Sequence, residues 1–336
     1  MMTHKLKLGW KASAEQFGPR QLLDFAVLAE ELGFESAWIS DHYQPWRHTG
    51  GHSPFSMAWL AAAGERTSRM TLGTSVLTPT FRYHPAIVAQ AFATLGVMYP
   101  DRVVLGVGTG ESLNEAPVIG IEWPDSRERF RRLSEATKLI RRLWTEDFVE
   151  FEGDYYCTRG ATVYDRPERP VPIYVAATGK VAAAFAGRQG DGFICTSGKA
   201  IELYTDVLLP ALQSGAEAAG RDYEAIEKMI EVKVSFDTDR ERALADTRIW
   251  AALALSADEK VGVHNPLEME ERAKMVTNPE RRWLVSSDPA EHVEQIAPYV
   301  QLGFTHLVFH HPGDDQARFL RLYSEQILPR LREQWG

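Results

Sequence analysis

Cysteine is almost absent. Two residues in 336, Cys157 and Cys195, are too few for a disulfide framework, and neither stands in a CxxC or Cys/His zinc spacing. Both are expected to be reduced. Long apolar runs are missing as well, since nothing approaches the roughly 20 residues a membrane-spanning helix needs. The opening MMTHKLKLGW has no apolar core and no small-residue cleavage site, so it does not read as a signal peptide, and a cytoplasmic protein is expected. Basic residues are in deficit, 37 against 46 acidic ones. The resulting net charge of −9 disfavours nucleic acid or an anionic membrane as the partner. A small anion in a local basic pocket remains compatible with it.

What is present is an ordinary globular composition, 44% hydrophobic and 25% charged, with a recurring αβ phrase. ELGFESAWIS (Glu31 to Ser40) and QLGFTHLVFH (Gln301 to His310) both run from a helix end through Leu-Gly-Phe into a buried strand, and AGRQGDGFIC (Ala186 to Cys195) is a looser copy. On that basis strands are predicted near Lys7–Lys11, Ser36–Ser40, Met70–Ser75, Val103–Val107, Ile173–Ala177, Gly192–Cys195, Ile230–Ser235 and His306–His310. Apolar residues at helical spacing fill Arg20–Leu32, Ser56–Arg66, Pro85–Met98, Arg127–Trp144, Val181–Arg188, Leu203–Ala219, Arg240–Leu255, Glu291–Val300 and Gln316–Arg332. Eight strands alternating with helices predict a (β/α)8 TIM barrel, a single domain over residues 1–336. Two insertions are expected, a hairpin over Val149–Pro170 after strand four and a polar, partly helical segment over 256–280 after strand seven.

In such barrels the reactive groups lie where strands end and βα loops begin. Strand two ends in Asp41-His42, strand three runs toward Thr78, and strand four runs into GVGTGESLNE with Thr109, Glu111 and Asn114. Strand five leads to Thr178-Gly179, and strand six to CTSGK with Thr196 and Lys199. Polar, Gly-rich chemistry thus gathers at one mouth. The run Gly106-Val-Gly108-Thr-Gly110 lacks a Rossmann fingerprint, because the sixth position holds Glu111. It is either a tight turn with a solvated acid or a close backbone approach to a ligand. His42, His48 and His52 have no known metal spacing, and no metal is expected. His42 alone is either a packing histidine or a general base tuned by Asp41. Lys199, Lys260 and Arg282 are each either surface charges or parts of a phosphate site.

Several blocks carry a closer likeness. KLGWKASAEQF, SDHYQPWRHTGGHSPFS, GTSVLTPTFRYHPAIVAQAFAT, GVGTGESLNE, GDGFICTSGK and RRWLVSSDP resemble the coenzyme F420-dependent glucose-6-phosphate dehydrogenases, within the bacterial-luciferase-like superfamily. The resemblance covers nearly the whole chain and is weakest over residues 255–285. It implies a barrel that binds F420, an 8-hydroxy-5-deazaflavin, commonly as a homodimer, and that oxidises a sugar 6-phosphate at C1 with hydride transfer to C5 of the deazaflavin. It places Asp41, Thr78, Thr109, Gly110, Asn114, Thr178, Gly179, Val181 and Ala182 against the coenzyme, with a non-prolyl cis peptide at Ser75-Val76. It places Thr196, Lys199, Lys260 and Arg282 on the substrate phosphate. His42 is then expected as the base for the C1 hydroxyl and Glu111 as the proton donor near N1, with these two roles open to exchange. Trp46 is expected beside the reacting centre. Rival readings are an FMN-dependent monooxygenase and a non-catalytic flavin-binding barrel.

Overall fold

In the computed structural model, which describes residues 5–260 and 262–336, eight parallel strands close into a ring. In chain order the strands are β1 (Lys7–Ala12), β2 (Ser36–Ile39), β3 (Thr71–Thr74), β4 (Val103–Val107), β5 (Val149–Glu152), β6 (Cys157–Ala161), β7 (Ile173–Ala176), β8 (Gly192–Thr196), β9 (Glu227–Phe236), β10 (Leu284–Ser286) and β11 (His306–His310). The ring runs β1-β2-β3-β4-β7-β8-β9-β11, and β11 pairs back onto β1. Strands β5 and β6 form a separate antiparallel hairpin, and β10 adds three residues to the end of β9.

Helices wrap the ring: α1 (Pro19–Glu31), α2 (Ser56–Arg66), α3 (Pro85–Met98), α4 (Ser112–Ile119), α5 (Ser126–Thr145), α6 (Lys180–Gln189), α7 (Leu209–Ala218), α8 (Arg240–Asp246), α9 (Ala257–Lys260), α10 (Pro266–Ala273), α11 (Pro289–Gln301), α12 (Gln316–Leu322) and α13 (Leu328–Trp335). Local chemistry starts them. Proline sits in the first turn of α1, α3 and α11, where a missing N–H costs nothing. Asp125 caps α5 by accepting from Glu128 N, and Asp288 caps α11 by accepting from Ala290 N and Glu291 N. Leu22, Ala26 and Ala29 then bury one stripe of α1 against the barrel.

The interior has its own layer. Trp38, Val104, Tyr174, Ile194, Met229 and Val308 pack inside the ring, apart from the larger core between strands and helices. Trp38 and Tyr174 stack with centroids 5.7 Å apart. They fit because glycines face them: a Cβ on Gly73 would lie 2.5 Å from the Trp38 ring, and one on Gly192 would lie 2.5 Å from Tyr174. Toward the C-terminal strand ends this apolar layer gives way to Lys11, Ser75, Glu231, Lys233 and His310, which line the cavity described below.

All eight barrel strands lie where the sequence pattern puts them. Strand β9 starts earlier than expected, at Glu227, because the charged pair Glu227-Lys228 stands ahead of the apolar run on which the expectation rests. The helix expected over Arg240–Leu255 breaks after Asp246 into a 3₁₀ segment, Thr247–Ala254, with Trp250 outside helical geometry at φ −109°, ψ 31°. Helix α4 and strand β10 have no counterpart in the sequence reading. The segment 256–280 holds α9 and α10, and its residue 261, like residues 1–4 of the opening stretch, lies outside the described residues.

Candidate functional site

A cavity of about 800 Å³ opens at the C-terminal ends of the barrel strands. The chain feeds it from almost every barrel strand, as closure requires. His42 follows β2, and its Nδ1 lies 2.5 Å from Glu15 Oε1. Glu15 sits three residues past β1, is buried, and accepts from Ser40 Oγ at 2.8 Å. Burial pushes the Glu15 carboxyl up, but the His42 charge and contact, Lys11 and the Ser40 hydroxyl together hold it at about 2. Burial likewise lowers His42, yet Glu15 and, more weakly, Glu111 raise it to about 9. His42 therefore carries a proton at neutral pH.

Glu111 approaches from the other side, its Oε2 3.9 Å from His42 Nε2. It is the residue before α4, reached through a turn in which Gly110 takes φ +83°. A Cβ on Gly108 would lie 2.6 Å from Val76 Cγ2, so this turn rests directly on Val76, whose peptide bond with Ser75 is cis. Trp46 Nε1 and Asn114 Nδ2 both donate to Glu111 Oε2, at 3.2 and 3.4 Å. Glu111 Oε2 thus already accepts from two donors. Asn114 also accepts from Tyr43 N and Gln44 N, which ties α4 to the loop that carries Trp46.

Cations gather in the same cavity. Lys199, Lys260 and Arg282 line the cavity together with Thr196. Burial, and the like charges of Arg282, Lys199 and Lys233, pull Lys260 down to about 8 against the opposing pull of Glu111. The Lys260 ammonium lies 4.4 Å above the Trp46 ring. Lys199 is lowered by burial and by Arg282. Such mutual repulsion is what an anion would relieve.

The structure brings Thr78, Thr109, Gly110, Thr178 and Ala182 onto the same cavity wall as Ser75 and Val76. Gly179 and Val181 stand at its rim on the first turn of α6, where Val181 is exposed. Asp41 lines the cavity too, but its carboxylate is already engaged by Ser56 Oγ, Tyr83 OH and Arg82 Nη2. His48 and His52 are not drawn together as ligands. His48 N donates to Glu270, and His52 N donates to Glu15 O.

Several side chains in or behind the site escape the sequence reading, Glu231 and His310 among them. Glu15 and Lys11 belong to the end of β1, Lys233 points inward from β9, and Arg82 is clamped between Asp41 and Glu115. The strand-end rule, applied to β1 as it was to β2, β3, β4, β7 and β8, would have reached Glu15.

The family model described as "Luciferase-like monooxygenase" matches residues 3–306. A protein of Intrasporangium calvum named F420-dependent glucose-6-phosphate dehydrogenase is 61% identical over 97% of this chain and 99% of its own length. One of the same name from Nakamurella multipartita is 63% identical over 97% of each. Among solved structures, an F420-dependent secondary alcohol dehydrogenase in complex with an F420-acetone adduct superposes with a TM-score of 0.91 at 34% identity, covering 96% of this chain and 98% of that one.

Proposed function

The chain belongs to the luciferase-like monooxygenase family, and from that premise we propose that it is an F420-dependent dehydrogenase that oxidises glucose 6-phosphate at C1 to 6-phosphogluconolactone. It is an oxidoreductase acting on a CH–OH group. The observation that carries this reading is the pairing, in one cavity, of a proton-handling couple, His42 and Glu111, with a cation cluster, Lys199, Lys260 and Arg282. The first suits a hydroxyl being oxidised, the second a phosphate that anchors the sugar.

The residues present fit the coenzyme. Val76 leaves no room for a side chain at Gly108, so bare backbone and the Ser75-Val76 segment face a flat ligand on one wall. Thr78, Thr109, Gly110 and Asn114 line that wall, and the N-terminal turn of α6, with Thr178, Gly179, Val181 and Ala182, offers N–H groups to an anionic tail. Asp41 supports this wall through Arg82 rather than by offering a free oxygen. When bound, the deazaflavin accepts a hydride at C5 in two-electron chemistry.

The protein's part is to bind, orient and move protons. Thr196, Lys199, Lys260 and Arg282 hold the phosphate, and Trp46 covers the sugar between Lys260 and Glu111. We assign the proton roles in the exchanged order. Glu111, hydrogen-bonded as an acceptor, takes the C1 hydroxyl proton at its carboxylate. His42, held as imidazolium by Glu15, keeps a proton at Nε2 for charge that develops in the cavity.

We propose further a single domain over residues 1–336 acting as a homodimer in the cytoplasm. One closed barrel accounts for every barrel strand, the family likeness supports the dimer, and the unpaired cysteines support a reducing compartment. No helix among the described residues is long and apolar enough to cross a membrane. The decisive experiment incubates the protein with glucose 6-phosphate and oxidised F420. Loss of the coenzyme's visible absorption is expected. Oxygen uptake with reduced FMN, and no F420 reduction, would instead identify a monooxygenase.

A further inference from the structure

We propose that Lys233 is a further cationic contact for the substrate's phosphate, reaching it from the barrel wall and adding to Lys199, Lys260 and Arg282. The proposal rests on the sugar-phosphate reading above and extends it to a residue that the strand pattern buries.

Alternation along β9 turns Met229, Glu231 and Lys233 into the barrel. Met229 belongs to the apolar layer, whereas Glu231 and Lys233 face the cavity above it. Lys233 is only 3% exposed. Burying an ammonium is costly unless it is paired and hydrogen-bonded. Among the described residues the one partner of Lys233 Nζ is Glu231, whose Oε1 lies 3.4 Å away.

That one partner is shared. Glu231 Oε1 also accepts from His310 Nδ1 at 3.1 Å, and Oε2 faces Lys11 Nζ at 3.4 Å. Lys11 has its own engagements, donating to Ser75 O at 2.8 Å and Ser75 Oγ at 2.6 Å. One carboxylate thus serves two ammonium groups, and the one without other bonds is Lys233.

The chemistry around the free N–H groups selects an anion. Arg282 is close enough to Lys233 to lower its pKa, in addition to burial, and Lys233 in turn helps lower Lys260. Arg282 Nη1 donates to Gly198 O at 2.7 Å, while its Nε is buried with no partner. Cationic donors left unmatched in one pocket call for an oxyanion with several acceptor oxygens, and the terminal phosphate of a sugar 6-phosphate supplies them.

The test compares wild type with Lys233→Met and Lys233→Gln, and with Lys199→Ala as the reference for a phosphate contact. Loss of a charged hydrogen-bonding partner is expected to raise the KM for glucose 6-phosphate and the inhibition constant of inorganic phosphate roughly ten- to a hundredfold. Turnover at saturation and F420 affinity should stay within about threefold, the pattern of a remote binding handle. A folded Lys233 variant with unchanged KM and unchanged phosphate inhibition would overturn the proposal. In parallel, the wild-type protein is reductively methylated with and without inorganic phosphate, and its lysine peptides are compared by mass spectrometry. Protection of Lys233 together with Lys199 supports the proposal, and protection of Lys199 alone overturns it, whether or not the variants fold. A wild-type protein that reduces no F420 with any sugar phosphate would instead overturn the parent reading.

Discussion

Glu15 Oε1 stands 2.5 Å from His42 Nδ1, so the imidazole at the heart of the cavity rests on a buried carboxylate. This contact fixes which nitrogen faces inward and leaves Nε2 to the cavity and Glu111. It also decides the charge of the ring before any ligand arrives.

The pH dependence of kcat/KM reads that charge directly, because it reports groups of the free enzyme. With Lys260 at about 8 on the phosphate and His42 raised to about 9 as donor, kcat/KM should begin to fall near pH 8 and fall more steeply above about pH 9. In Glu15→Gln the steeper fall should move down by roughly one to two pH units, as the neighbouring negative charge is gone. A profile that climbs toward pH 9 would return His42 to the role of base.

Stability should track the same pair. His42 is raised from 6.5 to about 9, so its contribution is complete below about pH 6.5 and is lost as pH rises through 9. Glu15 is lowered from 4.5 to about 2, so its contribution is complete above about pH 4.5 and is lost as pH falls toward 2. Wild type should therefore exceed Glu15→Gln in melting temperature most clearly between about pH 4.5 and 6.5. A constant difference from pH 3 to 10 would show that the pair has no titrating role in folding.

Glu111→Gln preserves the side-chain oxygen that Trp46 Nε1 reaches but removes a proton acceptor. Turnover should drop by about a hundredfold or more, while the dissociation constant for F420 stays within a few-fold. An unchanged rate would remove Glu111 from the chemistry.

Glu270, on α10, accepts from His48 N at 2.8 Å, Thr49 N at 2.7 Å and Thr49 Oγ1 at 2.9 Å. These bonds latch the Trp46 loop onto the segment that carries Lys260, and Leu113, Leu255, Val263 and Met269 pack with Trp46 as a small core between them. Glu270→Ala should raise the sugar-phosphate KM roughly three- to tenfold. It should also speed proteolytic cleavage within residues 256–280. Wild-type resistance to protease with wild-type KM would mean that the small core alone holds the two segments.

The barrel was legible because parallel strands covered on both faces are short apolar runs, and Leu72, Val104, Leu105, Val175 and Ile194 mark them. Legibility failed where charge entered that pattern. Glu227 and Lys228 hid the start of β9, and Glu231 and Lys233, read only as strand residues, are the polar upper layer of the barrel. Helix α4 was hidden because Ser112-Leu113-Asn114 reads as the tail of a glycine turn, whereas Glu111 ends that turn and a helix begins. Glu15 was missed for a different reason. Its pairing with His42 spans two βα loops, and no spacing in the sequence records it. The basic residues illustrate the reverse, since Lys199, Lys260 and Arg282 are unremarkable singly and gain meaning only when the ring closes.

The closed ring has one more consequence. The proton-handling pair follows β2 and β4, whereas Lys199 follows β8 and Lys233 lies within β9, all strands of a single hydrogen-bonded circle. The placement of these strand-borne groups relative to one another is therefore set by barrel closure rather than by a hinge. A pentose 5-phosphate, one carbon shorter than a hexose 6-phosphate, is accordingly expected to show a lower kcat/KM in F420 reduction, because a rigid ring cannot close on a shorter ligand.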